Sequence, residues 1–230
     1  AFPYNVLGGQ QESGSASVSS RGHGGQITYR DWLPVGVEEW GYVAADPLNP
    51  DLVYGGKLTK YDRKTGHTQS VGPFPTGHYQ PNRSPYRFLR TAPVIFSQAD
   101  PTALYYAGNV LFKSLDGGHS WRIISPDLSR ASWDVPQSIG VYKTESMKTM
   151  PRRGVIYTVA PSPLDSSVIW AGTDDGLIYI TRDDGKNWQN VTPPEITSWS
   201  KVSLIESGHF DVNTAYVAIN RIRLDDMKPY

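Results

Sequence analysis

Ser114-Leu115-Asp116-Gly117-Gly118-His119-Ser120-Trp121 and Thr181-Arg182-Asp183-Asp184-Gly185-Lys186-Asn187-Trp188 share one pattern, Ser/Thr-x-Asp-x-Gly-x-x-Trp. Each follows a run of strand-forming residues, Asn109-Val110-Leu111-Phe112-Lys113 in one case and Gly176-Leu177-Ile178-Tyr179-Ile180 in the other. A hairpin has a use for every fixed position. The Asp carboxylate accepts hydrogen bonds from turn N–H groups that no ladder satisfies. Gly permits positive φ at the tip. The Ser or Thr hydroxyl ties the entry strand, and the Trp opens the return strand with its ring closing over the turn. At average residue usage, one match in a chain of this length arises by chance roughly once in a thousand, so two copies signify a repeat. Ser114, Asp116, Gly118, Trp121, Thr181, Asp183, Gly185 and Trp188 are therefore expected to be structural. The turn consumes the lone pairs of Asp116 and Asp183, which argues against catalysis or metal binding by either.

A second repeat runs in phase with the first. Four segments align without gaps around Asn49, Asp100, Asp165 and Asp211. Six residues before each anchor stands Val43, Val94, Val159 or Ile205, and five residues after it stands Tyr54, Tyr105, Trp170 or Tyr216. Branched and aromatic residues suit a pleated surface, and the intervening Asp, Asn and Pro supply turn chemistry, so each segment reads as strand, turn, strand. The anchors are 51, 65 and 46 residues apart, close to the ~40–50-residue period of propeller blades. The long interval requires an insertion, which Ser125–Arg153 supplies. Leu58 to Gly66 occupies the place of the hairpin motif in another copy but lacks its Gly and Trp spacing; it reads as an ordinary Asp-to-Gly turn.

Composition agrees with an all-β chain. Among 230 residues, 22 Gly and 18 Pro are dispersed rather than pooled, beside 14 Tyr and 7 Trp, as expected for many short strands between tight turns. Lys plus Arg equal Asp plus Glu at 22 each, which leaves no electrostatic footprint for nucleic acid or an anionic membrane. With no Cys, disulfides and thiolate metal sites are excluded. The opening Ala1-Phe2-Pro3-Tyr4-Asn5-Val6-Leu7 is neither a signal peptide nor a membrane-inserting segment and reads as part of a longer or mature chain.

At these motifs the chain resembles the Asp-box (BNR-repeat) propellers, which include sialidases, xyloglucanase-type glycoside hydrolases and the sortilin ectodomain. It is most similar to bacterial exported proteins described as sortilin-like or glycosyl-hydrolase-like. Tyr4 to Gln11, Ala107 to Ser114, Trp170 to Gly176 and Gly208 to Ala218 carry that resemblance. It implies a β-propeller of four-stranded antiparallel blades, and a location that is secreted, periplasmic or at the cell surface. The family's propellers have six or more blades. Three are recognisable here, at 42–71, 89–125 and 155–192, with partial ones at 1–36 and 201–230, so a partial propeller from a longer chain is expected. Glu12 departs from the Asp that relatives commonly carry after the Gly-Gly-Gln-Gln turn.

Catalytic candidates are few. A glycosidase needs two opposed carboxyl groups, and Glu38, Glu39 and Asp134 are the candidates. Glu38 and Glu39 lie near Trp32 and Trp40 in a Gly-flanked segment, either a sugar-stacking site or a solvated loop. Asp174-Asp175-Gly176 reads as a turn, and Glu206, where the sister repeats have Ala44, Ile95 and Ala160, either lines the channel or faces solvent. The five His are scattered, no metal-ligand spacing or nucleophile elbow occurs, and no cofactor or metal is expected. Three functions follow: a non-catalytic recognition scaffold for protein or polysaccharide; a glycoside hydrolase with acids partly outside this segment; or a subunit of an extracellular assembly, self-associating through open blade edges.

Overall fold

The computed structural model describes residues 2–39, 41–73, 86–132 and 152–230. Among these residues lie seventeen strands, two short 3-10 turns and no α-helix. The strands form five antiparallel sheets, each from strands consecutive in the chain. The first sheet holds β1 (Asn5–Gln10), β2 (Gly14–Ser19) and β3 (Trp32–Pro34). Three four-stranded sheets follow. They are β4 (Val43–Ala45), β5 (Leu52–Gly55), β6 (Thr59–Asp62) and β7 (Thr68–Ser70); β8 (Val94–Phe96), β9 (Leu104–Ala107), β10 (Leu111–Ser114) and β11 (Arg122–Ile123); and β12 (Ile156–Pro161), β13 (Ile169–Thr173), β14 (Ile178–Thr181) and β15 (Gln189–Asn190). The fifth sheet pairs β16 (Lys201–Ser207) with β17 (Ala215–Asn220).

The repeat anchors explain why the first two strands of each later sheet turn where they do. Asn49, Asp100, Asp165 and Asp211 each accept on a side-chain oxygen from the N–H two residues on, at 3.3, 3.1, 2.8 and 3.0 Å. Their carbonyls accept from the N–H three residues on. The same local chemistry sets the same register, so Ala44 lies opposite Tyr54, Ile95 opposite Tyr105, Ala160 opposite Trp170 and Glu206 opposite Tyr216.

Packing follows from the two-residue period of a strand. In β9, Tyr105 and Ala107 point toward the fourth sheet, joining Leu111 and Ile124 against Ile156, Val159, Ile169 and Ala171. Leu104 and Tyr106 point the other way, with Val94 and Phe112 against Tyr54, Leu58 and Val71 of the second sheet. Both strands in the middle of this stack, β9 and β13, are buried along their whole length. Further apolar seams join the first sheet to the second through Leu7, Val37 and Val53, and the fourth to the fifth through Trp170, Ile180, Val202 and Ile205. Each core thus lies between neighbouring sheets, as in propeller blades, and the first strands approach one another, β4 beside β1 and β8, and β12 beside β16. The fifth sheet is covered on one side only, so Tyr216 is 71% exposed whereas its counterparts Tyr54 and Tyr105 are at most 1% exposed.

The motif hairpins superimpose bond for bond. Asp116 Oδ1 accepts from the Ser120 N–H (2.9 Å) and Oδ2 from the Ser120 hydroxyl (2.6 Å), while the Ser114 hydroxyl donates to Oδ1 (2.8 Å) and accepts from the Gly118 N–H (2.9 Å). Asp183 accepts from the N–H and side-chain amide of Asn187 at 2.8 and 2.7 Å, and Thr181 plays the part of Ser114. The seventh position, Ser120 or Asn187, is thus a fixed member of the turn. The Trp121 indole does meet its own turn, donating to the Gly118 carbonyl at 3.2 Å, but both indoles also reach beyond their hairpins. Trp121 Nε1 donates to the Val71 carbonyl and Trp188 Nε1 to the Ile124 carbonyl, both at 2.8 Å. Each indole therefore ties its sheet to the end of the preceding one. Asp62, in the divergent copy, accepts from the Lys64 and Thr65 N–H groups and makes a plain turn.

Two predictions follow from these turns. Gly185 has φ +85°, and a Cβ there would lie 2.3 Å from the Ile124 carbonyl oxygen; Gly66 has φ +73° but open space around it. Gly66→Ala is expected to cost about 1–2 kcal/mol for its left-handed backbone alone, and Gly185→Ala more than that. Equal midpoint losses in urea denaturation would contradict the close sheet-to-sheet approach. Hydrogen bonds from the Ser120 and Asn187 side chains, with their N–H groups, pull Asp116 and Asp183 down to about 2. Both carboxyls are therefore more acidic folded than unfolded, and their stabilisation is complete above about pH 4 and lost as pH falls toward 2. The double variant Asp116→Asn/Asp183→Asn should show a shallower loss of stability over that window than the parent, measured by urea denaturation at stepped pH.

Candidate functional site

Because successive strands are antiparallel, the first and third turns of every complete sheet fall on one face, which carries the anchors and motif hairpins. The second turns and the connections between sheets fall on the other. Glu38 and Glu39 belong to this connection face. Glu38, at φ +70°, accepts from the Lys57 N–H at the β5–β6 turn (3.2 Å). Glu39 accepts from the Glu12 N–H in the β1–β2 turn and pairs with Arg90 at 3.3 Å. Trp32 is not part of this junction: it pairs with Val18, toward the end of the first sheet away from the β1–β2 turn, and is 54% exposed. Trp40 and Asp134 lie outside the described residues, as does 133–151 of the insertion.

A cluster of charged residues sits farther round the same face. The β13–β14 turn is closed by the Thr173 hydroxyl, which donates to Asp175 Oδ1 (2.6 Å) and accepts from the Leu177 N–H (2.8 Å). Asp174 is 9% exposed; its Oδ1 accepts from the Val155 N–H at 2.9 Å, and its Oδ2 faces Arg223 at 3.4 Å. Asp175 Oδ2 accepts from the Arg130 N–H (2.9 Å), and the Arg130 guanidinium bonds the carbonyls of Asp175 and Gly176. Burial raises the Asp175 carboxyl above its ordinary range, against the lowering effect of Thr173 and Arg130.

Asp127 organises the neighbouring connection. It takes Arg87 at 2.8 Å, Asn109 at 2.9 Å, the Ser129 hydroxyl at 2.6 Å and Arg152 at 3.3 Å. Burial pushes this carboxyl up, but the bonds from Ser129, Arg87 and Asn109 outweigh that and hold it below its usual value. Arg152 also donates to the carbonyls of Asp127, Ser129 and Arg130. Between these groups lies a small cleft walled by Arg130, Arg152, Arg153, Asp174, Asp175, Trp199 and Arg223. Sequence reading missed this constellation because its members come from five separate segments. The only local signal was Asp174-Asp175, which also describes any turn.

A second groove runs between the first strands β8, β12 and β16. Ile95, Ala160 and Glu206, equivalent in register, all line it, so Glu206 does border the space between first strands. Its carboxylate meets His209 Nε2 at 2.8 Å, with both side chains more than half exposed. Among the described residues no group of three or more His, Asp or Glu is placed to hold a metal ion, and no helix is long and apolar enough to cross a membrane.

No family model and no curated protein matches this sequence. Among solved structures, an ancestral GH74 enzyme matches with a TM-score of 0.57 at 15% identity, over 95% of this chain and 26% of that one. A GH74 xyloglucanase from Xanthomonas campestris matches more loosely, with a TM-score of 0.44 at 17% identity over 94% of this chain and 43% of that one. The first likeness places the chain in the β-propeller fold that such enzymes use, and this chain spans about a quarter of that protein's length.

Arg87 is the hinge pin of the connection face, since its guanidinium binds Asp127, Ser129 and the Gly154 carbonyl together. Arg87→Met leaves Asp127 and that carbonyl short of a charged donor, and about 1.5–3 kcal/mol of stability should be lost. Chemical denaturation measures this; a loss within ~0.5 kcal/mol, as for ordinary surface pairs, would show the cluster to be ornamental.

Proposed function

We propose that this chain is a polysaccharide-recognition propeller of an exported protein, which binds glycan on its connection face without cleaving it. The supporting observation is the state of the acids there. Glu38, Glu39, Asp127, Asp174 and Asp175 each accept hydrogen bonds from backbone N–H groups, hydroxyls or Arg. A glycosidase needs one carboxyl free to give a proton and another free to attack or to activate water. Asp175 has the raised proton affinity of a general acid, yet both its oxygens are engaged in holding a turn. Carboxylates so engaged position backbone and arginines, and none of them is left open to act on a glycosidic bond.

A second reading is a glycoside hydrolase. The fold likeness to an ancestral GH74 enzyme favours it, and it places one catalytic acid at Asp134 or in sequence beyond this segment. Electrophoresis of the full-length protein through gels containing xyloglucan, mixed-linkage β-glucan or an acidic polysaccharide, paired with a reducing-end assay, separates the two. Retarded mobility with at least one polymer and no new reducing ends is expected. Release of reducing ends that disappears in Asp134→Asn or Glu39→Gln would establish the hydrolase instead, and mobility unaffected by every polymer would overturn polysaccharide recognition.

A further inference from the structure

We infer that the Val191 carbonyl, at the outer end of the fourth sheet, is the seat of an indole from a third motif hairpin, carried by the same polypeptide beyond Tyr230. The two hairpins already described show how such a seat is built. Val71 and Ile124 each stand directly after the last strand of a sheet, and their N–H groups donate back to the third strand, to the Leu58 and Leu111 carbonyls. Each then offers its own carbonyl outward, where Trp121 or Trp188 of the next sheet donates to it at 2.8 Å. Each also lies against the glycine of that hairpin: a Cβ on Gly118 would lie 2.9 Å from the Val71 Cβ, and one on Gly185 2.3 Å from the Ile124 carbonyl oxygen. Val191 repeats the first half of this arrangement. It follows β15, its N–H donates to the Ile178 carbonyl, and its side chain packs against the core between the fourth and fifth sheets. Among the described residues no group donates to its carbonyl, so the seat is built and its indole is not among them. A buried or half-buried carbonyl with no donor is a cost that a folded chain meets with a partner.

Register says where that partner comes from. In the third sheet the Gly108 N–H donates to the Val110 carbonyl, and in the fourth the Thr173 N–H donates to the Leu177 carbonyl. Both donors stand eight residues after their anchors, Asp100 and Asp165. Ile219 stands eight residues after the anchor Asp211, and its N–H donates to the Tyr230 carbonyl at 3.2 Å. Tyr230 therefore holds the place of Val110 and Leu177, at the head of a third strand beside β17. The longer connection before it is clasped on itself, with Arg221 paired to Asp226 at 3.4 Å and the Tyr230 hydroxyl donating to the same carboxylate at 2.5 Å. From Val110 and from Leu177 alike, the chain reaches the motif's Ser or Thr in four residues, its Asp in six, its Gly in eight and its Trp in eleven. The same intervals counted from Tyr230 locate the third hairpin, and its indole falls to Val191 as that of Trp188 falls to Ile124. The strand that leads to this hairpin already has its first hydrogen bond to β17, which assigns the hairpin to this polypeptide rather than to a second copy.

The natural full-length protein provides the test. Tandem mass spectrometry of its peptides should read Ser or Thr, Asp, Gly and Trp at the four intervals beyond Tyr230. A different sequence at those positions, or a protein that ends at Tyr230, overturns the inference, and a dimer in light scattering would then give the seat to a second copy. With the motif present, a Trp→Phe variant at its last position keeps the ring and loses the N–H donor, so the melting temperature should fall as far as it does in Trp121→Phe. N-bromosuccinimide oxidation of the unsubstituted protein is a readout that needs no variant to fold: this Trp should react as slowly as Trp121. An unchanged melting temperature, or oxidation well ahead of Trp121, would show a hairpin that is present but not seated on Val191, and the inference would fail.

Discussion

Each sheet in this chain has two apolar faces, and neither can be left to water at no cost. A strand sends alternate residues to opposite sides, so Tyr105 and Leu104, neighbours in sequence, enter different cores. At roughly 1.5–3 kcal/mol for each large apolar side chain buried, no sheet here is stable alone, and the stack is stable only because each member covers the next. That dependence sets everything above it, including which ends of the strands are free to vary.

The motif hairpins are best understood from the same dependence. A turn needs only an Asp and a Gly, as Asp62 and Gly66 demonstrate. The additional Trp serves the neighbour, since its N–H finds the carbonyl of Val71 or Ile124 in the sheet before it. The glycine has two duties as well. Positive φ accounts for Gly118 and Gly185 within their hairpins, and the closeness of Val71 and Ile124 accounts for the absence of a side chain. An aspartate bonded to Ser120 or Asn187 is then the brace that keeps the tip rigid enough for the indole to reach across.

Much of this was legible in the sequence. Four anchors with one spacing implied four strand–turn–strand units, because an Asx turn is a local structure and needs no distant partner. The two Trp-bearing motifs implied hairpins for the same reason. What stayed hidden was every relation between units: that the indoles cross to the preceding sheet, and that Asp127 gathers Arg87, Asn109 and Arg152 from three segments. Glu38 and Glu39 were visible as an acidic pair near two tryptophans, yet register carries Trp32 toward the far end of its sheet. Contact between distant segments depends on how sheets stack, and no local pattern encodes the stacking angle.

The two faces of the stack consequently have different freedom to carry function. On the turn face, Asp, Gly and Trp are fixed by the requirement that each tip meet its neighbour, so a substitution there is felt between sheets. On the connection face the linking segments need only return the chain to the next first strand, and their lengths already differ widely between the second, third and fourth sheets. Charged residues accumulate there because a half-buried carboxylate such as Asp127, or a buried one such as Asp174, can hold a long connection in place through backbone N–H groups and arginines. Arg87, Arg130, Arg152 and Arg223 are engaged with those carboxylates and with carbonyls of the connections, so this face is ordered without any demand on the sheets beneath it.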